Sequence, residues 1–422
     1  MGGWRGISLV WGLTAVAALA QAQSLPELLE RAVTTHPSVQ GQRSQGAVAA
    51  AELDYARQQF YPTPSVSVEQ VSAAARDPSY LQNATVKIFR LQQPLWTNGR
   101  LTAGLEKAQA SADAAAHNLE EVRQQLGLRV LQAWADGYAA DLKQIALQTS
   151  VATHERLQAQ VGRRIADGAS APTEKVLTDG RLAQTRAQLQ AVVVQAQTAR
   201  MRLEQLTGAP LAAALPLAQE RELSNMDATQ AVDASIRSSP AVRRLQATVR
   251  LQEATVVERK SERLPEVYAR AEYQIGNAAV AGAPDAQRLF VGLQSKLGAG
   301  LSTLSGIEAS ENKVAVAAAD VENAQLSLAE QVLADWSQLA TIKARQLELE
   351  ASLQASRDTA LAWDRQFLAG RKSWVEVMNS ARELAQAETD LADVLAARVL
   401  LSWRVVLYTQ GLDSLLPGKT NP

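Results

Sequence analysis

The chain has 422 residues, a net charge of −1, 47% hydrophobic and 5% aromatic residues, and no Cys. The absence of Cys excludes disulfides, thiolate metal sites and Cys nucleophiles, and the near-neutral charge gives no electrostatic basis for binding nucleic acid. The three His residues, His36, His117 and His154, do not have the spacing of a metal site or a catalytic triad.

Residues 1–22 have the pattern of a signal peptide. Arg5 supplies a positive charge, an apolar run extends from Ile7 to Leu19, and Ala20-Gln-Ala22 is a small-x-small cleavage site. The run is shorter than the roughly 20 residues that a membrane-spanning helix needs. The sequence therefore favours export over a retained anchor helix.

The first part of the mature chain, from Leu25 to Phe60, predicts helix with one break at His36-Pro37, because Pro can open a new helix. Tyr61-Pro-Thr-Pro64 ends this segment, and the apolar period then changes to two. Residues 63–95 are predicted to form a β-hairpin of roughly ten-residue strands, and Thr97-Asn-Gly99 marks the turn that follows.

Residues 100–167 predict one long helix, in which apolar residues follow a heptad pattern that starts at Leu101 and then widens to steps of four. At 1.5 Å per residue this helix would be about 100 Å long, so it must pack against other long helices. A Gly168 turn precedes a predicted return helix, 173–206, which completes a first repeat, 23–207. A linker or equatorial segment, 208–227, follows.

The plan then repeats over 228–411. Pro37 and Pro240, and Pro62 and Pro265, are each 203 residues apart, while Gly168 and Gly370 are 202 apart. The second repeat is predicted to contain a helix, a β-hairpin at 265–298, a long helix at 307–369 and a return helix at 373–407. A C-terminal tail, 412–422, ends the chain. The predicted fold class is mainly α with a small β part, in two tandem repeats.

The two predicted hairpins have one apolar and one charged face. Such strands fit the wall of a transmembrane β-barrel, with lipid outside and water inside, and they also fit an antiparallel sheet that is covered by helices. Four strands do not close a barrel, since the smallest closed bacterial barrels have eight. The barrel reading therefore requires several chains that share one barrel.

The order of these elements resembles the TolC family of outer membrane channel-tunnels. The resemblance rests on Leu91-Gln-Gln-Pro-Leu-Trp96, Asn98-Gly-Arg100 and the turns Gly168-x5-Glu174 and Gly370-x5-Glu376. It implies a homotrimer in the outer membrane that extends into the periplasm, with a shared 12-stranded transmembrane β-barrel and a long α-barrel. It also implies contact with outer membrane lipid, a periplasmic adaptor (membrane fusion) protein and an inner membrane transporter of the ABC or RND type.

By the same resemblance, the two Gly turns correspond to the periplasmic tip, where the tunnel is closed at rest. The gate and selectivity residues are then Glu174, Glu376, Lys372 and Phe367, and Asn379 occupies a place where a second acidic residue can occur. A ring of carboxylates around a pore would favour cations.

A structural role competes with this gating role. Ser373-x-x-Glu376 is also a capping box, and Glu174 lies in a first helical turn, where the helix dipole favours a carboxylate. A Glu174–Lys372 pair could link the two turns. The turns at Gly168 and Gly370, with Arg371, are the expected sites of adaptor docking.

The resulting hypothesis is a passive exit duct driven by an inner membrane pump, with no enzymatic activity and no cofactor. Residues 298–308 resemble outer membrane components of type I systems that secrete adhesins, which favours protein secretion; multidrug efflux is the alternative. A different class, a periplasmic coiled-coil adaptor or scaffold without a pore, predicts a protein that is soluble after removal of the signal peptide.

Overall fold

A computed structural model describes residues 24–74, 79, 81, 83–211, 215, 218–222, 226–295 and 302–417. The predicted signal peptide lies outside these residues. The elements in chain order are α1 (Leu25–Thr35), α2 (Pro37–Gln58), β1 (Thr63–Ser72), β2 (Asn83–Trp96), α3 (Arg100–Ala166), α4 (Pro172–Thr207), α5 (Ala228–Ser238), α6 (Pro240–Ser261), β3 (Glu266–Ile275), β4 (Ala286–Gln294), α7 (Ser302–Leu368) and α8 (Trp374–Gln410), and a 3-10 turn at Leu412–Leu415 ends them.

The two halves of the chain repeat element by element. Helices α2 and α6 both have 22 residues and start 203 positions apart, at Pro37 and Pro240. Helices α3 and α7 both have 67 residues and start 202 positions apart, at Arg100 and Ser302. Equal lengths at offsets that differ by one residue are the mark of an internal duplication. The prediction of a mainly helical fold with two tandem repeats is confirmed.

Local signals account for the helix boundaries. Pro37 and Pro240 occupy the first turns of α2 and α6, where a missing N–H costs nothing. The residue before each Pro caps the helix: Nδ1 of His36 accepts from the Ser38 N–H at 3.1 Å, and Oγ of Ser239 accepts from the Val242 N–H at 3.3 Å. Helix α7 starts at Ser302, five residues before the predicted start.

The four strands form one antiparallel sheet in the order β1-β2-β3-β4. The pairing of β2 with β3, which joins the two repeats, aligns Arg90 with Glu272 and Phe89 with Tyr273. Strands β1 and β4 are the edges of this sheet, and neither edge is paired within the described part of the chain. The sheet is therefore open on both sides.

The two faces of the sheet differ in chemistry. Side chains alternate between the faces along a strand, and residues that are directly opposite on neighbouring strands share a face. One face is apolar and exposed, and it carries Val66, Val68, Phe89, Leu91, Leu289, Val291 and Leu293. The other face carries, in two successive rows across the sheet, Ser65, Arg90, Glu272 and Arg288, then Thr63, Gln92, Arg270 and Phe290.

The helices form two compact units, each built from segments of both repeats. Among the described residues, one unit comprises those within 24–29, 130–219 and 346–399, and the other comprises those within 30–129, 220–345 and 400–417. The first unit holds both Gly turns and is cored near them by side chains of α3, α7 and α8. The second unit holds the sheet, and in it the Arg221 guanidinium lies 4.6 Å from the centre of the Trp403 ring.

No helix within the described ranges is both long and apolar enough to cross a bilayer.

Candidate functional site

The two predicted tip turns have the same backbone geometry. Gly168 and Gly370 both have φ of +71°, in the left-handed region that costs other residues about 1–2 kcal/mol. The N–H of Gly168 donates to the Ile165 carbonyl at 3.0 Å, and the N–H of Gly370 donates to the Phe367 carbonyl at 3.0 Å. These bonds belong to Schellman motifs, which end α3 and α7 sharply.

The residue after each Gly completes the motif. The N–H of Ala169 donates to the Arg164 carbonyl at 2.7 Å, and the N–H of Arg371 donates to the Gln366 carbonyl at 2.8 Å. The Arg371 side chain is exposed. Apart from the glycine itself and its chain neighbours, no heavy atom of the described residues lies within 4 Å of the position that a Cβ would take at Gly168 or Gly370. Both turns therefore present open surface in this chain.

Glu376 forms the predicted capping box at the start of α8. One of its carboxylate oxygens accepts from the backbone N–H of Ser373 at 3.1 Å and from the Ser373 hydroxyl at 2.9 Å. In return the Ser373 Oγ accepts from the N–H of Glu376 at 3.4 Å. These bonds satisfy backbone donors that a helix start leaves without intrahelical partners.

Lys372 also binds Glu376, through Nζ at 2.7 Å from the second carboxylate oxygen. This contact, followed by the bonds from Ser373, lowers the pKa of Glu376 from 4.5 to about 2. Lys372 Nζ lies 4.4 Å from the centre of the Trp363 ring, a cation–π geometry. The cation therefore joins the end of α7 to the start of α8, and its carboxylate partner is Glu376 instead of the Glu174 considered above.

Glu174 lies in the first turn of α4 and is half-buried. Its backbone N–H donates to the Ala171 carbonyl at 3.0 Å. Its Oε2 atom is buried and has no hydrogen-bond partner among the described residues. The next acidic residue of α4, Asp179, is paired with Lys175 at 2.7 Å and accepts from the amide of Gln158 at 2.6 Å. A buried carboxylate oxygen without a partner is costly, so Glu174 is positioned to accept a further donor.

Phe367 is a core residue of the tip in this chain. It is 4% exposed and packs in a cluster with Leu157 and Val161 of α3 and with Trp374, Val377 and Met378 of α8. The Arg164 guanidinium lies 5.3 Å from the centre of its ring. This cluster joins the turn of the second repeat to the long helix of the first. The aromatic ring beside Lys372 is Trp363, which the sequence reading missed.

Trp363 and Asn379 complete the surroundings of Glu376. Trp363 lies four residues before Phe367, so both rings occupy one face of α7. The spacing of four residues between Trp363 and Phe367 can be read from the sequence, and it places both rings on one helix face. Asn379 is half-buried on α8, three residues after Glu376 and thus on the same side of the helix. The tip therefore brings together Lys372, Trp363 and Glu376, with Phe367 in the core beneath.

The signature residues near the sheet have structural roles. Asn98 has φ of +52°, and its amide donates to the Pro265 carbonyl at 2.7 Å. The Arg100 guanidinium forms a bidentate ion pair with Glu266. These contacts fix the start of α3 against the start of β3, so the signature joins the two repeats beside the sheet.

The described residues include no group of three or more His, Asp or Glu that could hold a metal ion. His154 is 2% exposed, and its Nδ1 lies 2.8 Å from the Ser150 carbonyl, one turn earlier on α3. This contact gives the buried His154 imidazole a structural role within α3. At the tip, the contacts of Lys372 with Glu376 and Trp363 join the end of α7 to the start of α8.

Comparison with known proteins supports the fold and the family. Residues 28–209 match a family model described as outer membrane efflux protein. No relative was found among curated protein sequences.

Several solved structures share the fold over 92% of this chain. They include the outer-membrane channel OprN (TM-score 0.81, 17% identity, 89% of that chain), the Campylobacter jejuni CmeC outer membrane channel (TM-score 0.79, 14% identity, 85% of that chain) and the Neisseria gonorrhoeae MtrE outer membrane channel (TM-score 0.76, 13% identity, 90% of that chain). The outer membrane location predicted from the sequence is that of the family and of these channels. Residues 28–209 are therefore similar to the outer membrane efflux protein family, and the described chain has the fold of these outer membrane channels.

Proposed function

We propose that this protein is a trimeric outer membrane channel that provides a passive exit duct for a pump-driven export system. The observation that carries the proposal is the open four-stranded sheet with its exposed apolar face. Leu289, Val291 and Leu293 of edge strand β4 are 79%, 73% and 68% exposed. In water such a face and such edges would promote aggregation, whereas lipid requires an apolar outer face.

The strand lengths fit this proposal. Strands β1 and β3 have ten residues and β4 has nine, and a tilted transmembrane strand needs about 9–11. An open sheet edge does not persist within the hydrocarbon region of a bilayer. Three copies, with β4 of one chain beside β1 of the next, would give a closed barrel of twelve strands.

The exposed face of α7 supports assembly from several copies. Large apolar side chains recur on it at multiples of seven residues and are exposed in the single chain: Leu326, Leu333, Leu347, Leu361 and Leu368. A heptad repeat of this kind forms the seam of a coiled coil. A helix of a neighbouring copy is the occupant that the proposed trimer provides, and a ring of such seams would make an α-barrel.

The tip is proposed as the gate, with Glu174, Glu376, Lys372, Phe367 and Asn379 as its residues. Lys372 would act through its contacts with Trp363 and Glu376, which tie the ends of α7 and α8 together. Phe367 would act indirectly, by holding α7 and α8 on α3.

Charge reversal at Lys372 tests this gate. Lys372→Glu places a carboxylate beside Glu376 and is expected to raise the resting conductance in a planar bilayer. The adjacent Arg371→Glu variant is the matched control, since the Arg371 side chain is exposed. If the parent and Lys372→Glu channels have equal resting conductance, Lys372 has no role in the gate.

Protein secretion is the cargo class we propose, with the driving force supplied by an inner membrane pump through a periplasmic adaptor. Support comes from the resemblance of residues 298–308 to adhesin-exporting type I systems; of these residues, 298–301 lie outside the described part of the chain. Multidrug efflux is the competing cargo class. A non-pore periplasmic scaffold leaves the exposed apolar sheet face without an explanation.

A crosslinking experiment in intact cells separates these classes. A photo-crosslinking amino acid at Arg371, beside the open turn at Gly370, is expected to capture an adaptor and, with it, an ABC-type pump. Capture of an RND-type pump would assign the protein to multidrug efflux. The same probe at Val291, on the apolar sheet face, is the matched control and should capture neither.

A further inference from the structure

The polar face of the sheet is unevenly charged. Its two central rows contain three arginines and one glutamate: Arg90, Arg288 and Glu272 in one row and Arg270 in the next. We call Arg90, Arg270 and Arg288 the arginine belt. All three project from the face opposite the exposed apolar face.

One carboxylate serves two of these cations. Glu272 Oε1 lies 2.7 Å from Arg90 Nε and 3.1 Å from Arg270 Nε, and the Glu272 side chain is only 9% exposed. The Arg270 guanidinium also lies 4.7 Å from the centre of the Phe290 ring and 5.7 Å from that of Tyr268. These contacts hold Arg90 and Arg270 in place.

Arg288 has a different partner. Its Nη1 donates to the amide oxygen of Gln274 at 2.8 Å, and its side chain is exposed. An amide is neutral, so this bond orients the guanidinium without compensating its charge. Arg288 can therefore offer its remaining donors to a passing anion.

Other carboxylates on this face of the strands are distant from the belt. Glu69 on β1 is two rows from Arg90, and Glu266 on β3 is two rows from Arg270. Two rows correspond to about 13 Å along a strand, which exceeds the Debye length of about 8 Å at physiological ionic strength. Glu266 is also paired with Arg100. Three arginines against Glu272 thus leave two uncompensated positive charges per chain.

We propose that the arginine belt is a specificity-determining element of the duct that favours cargo rich in carboxylate groups, such as acidic polypeptide segments. This inference rests on the proposed function, because only a closed barrel turns the polar face into a lumen. Three chains would then place six uncompensated charges around one passage. A guanidinium binds a carboxylate through two parallel hydrogen bonds, and a narrow passage with low-dielectric walls focuses the field of such a ring.

The test is the ion selectivity of purified channels in planar bilayers under a KCl gradient. It is done in a Glu174→Gln/Glu376→Gln background, so that the tip carboxylates do not dominate the reversal potential. Arg288→Gln is expected to lower the chloride-to-potassium permeability ratio several-fold, since surface potentials in such passages reach several kT. Arg288→Lys, which keeps the charge, should retain the parent ratio.

Lys87→Gln is the matched control. Lys87 belongs to strand β2 and lies opposite Val68 and Ile275, on the apolar face, so its removal deletes one positive charge outside the proposed lumen. It should leave the permeability ratio unchanged. A short oligoglutamate peptide should block current through the parent channel more strongly than an oligolysine peptide of equal length, and Arg288→Gln should weaken the oligoglutamate block.

The outcomes separate two failures. If the channels conduct but Arg288→Gln and the parent have equal permeability ratios, the arginine belt has no role in selectivity and the proposed channel function stands. Equal shifts of the permeability ratio in Arg288→Gln and Lys87→Gln would also overturn the proposed role of the arginine belt. If the purified protein forms no channels at all, the proposed function fails and the belt proposal fails with it.

Discussion

Phe367→Ala distinguishes a core role for this ring from a direct role in the pore. Phe367 is 4% exposed and packs on five buried apolar side chains, and removing such a ring typically costs about 3–5 kcal/mol. The loss of the contact with Arg164 adds about 0.5–1 kcal/mol. Since 1.4 kcal/mol is a factor of ten, the combined loss of about 3.5–6 kcal/mol should lower hydrogen-exchange protection at the ends of α7 and α8 by about three hundred- to twenty thousandfold.

Two further variants make this test specific. Phe367→Leu keeps most of the buried volume and should cost under about 1.5 kcal/mol, whereas a pore aromatic would lose its function equally in both variants. Val375→Ala changes a neighbouring side chain that is 43% exposed and should change stability by less than about 0.5 kcal/mol. Unchanged protection in Phe367→Ala, or equal effects of the Leu and Ala variants, would refute the core assignment.

Three other predictions concern the cap, the turns and the assembly. Because the pKa of Glu376 is lowered from 4.5 to about 2, its stabilisation of the α8 start is present above pH 4.5 and is lost as the pH falls towards 2. The hydrogen-exchange protection of amides at the α8 start should therefore decrease over this pH range in the parent. In Glu376→Gln the protection should not change over the same range. Gly370→Ala should destabilise the tip by about 1–2 kcal/mol because φ is positive, whereas Gly180→Ala, inside α4 with open space around it, should stabilise by up to about 1 kcal/mol in denaturation experiments. Leu347→Glu should dissociate trimers on semi-native gels, and Glu348→Ala should not.

The sequence predicts the fold well because the informative signals are local and repeated. Pro37 and Pro240 start helices at corresponding positions, and the period of two identifies strands without knowledge of their partners. The sequence predicts that α7 starts at residue 307, after Gly306. The structure continues α7 through Gly306, around which there is open space, since a single Gly costs a long helix only about 1 kcal/mol relative to Ala.

The site was harder to predict because its contacts join distant parts of the chain. Phe367 packs on Leu157 and Val161, about 200 residues earlier, so nothing near Phe367 in the sequence distinguishes a core ring from a pore ring. The Lys372–Glu376 pair is an i,i+4 contact and could have been inferred from spacing alone. The arginine belt depends on the register of β2, β3 and β4. The alternation of apolar and polar residues in the sequence does not determine this register.

The central claim is that the open sheet of one chain becomes closed only when copies of it share a lipid-facing barrel. The most direct measurement is the mass of the mature protein after membrane extraction, combined with its conductance in a planar bilayer. The account predicts a trimer that leaves the outer membrane only in detergent, dissociates on heating and inserts as a conducting channel. A monomer in the soluble periplasmic fraction that gives no conductance would contradict it.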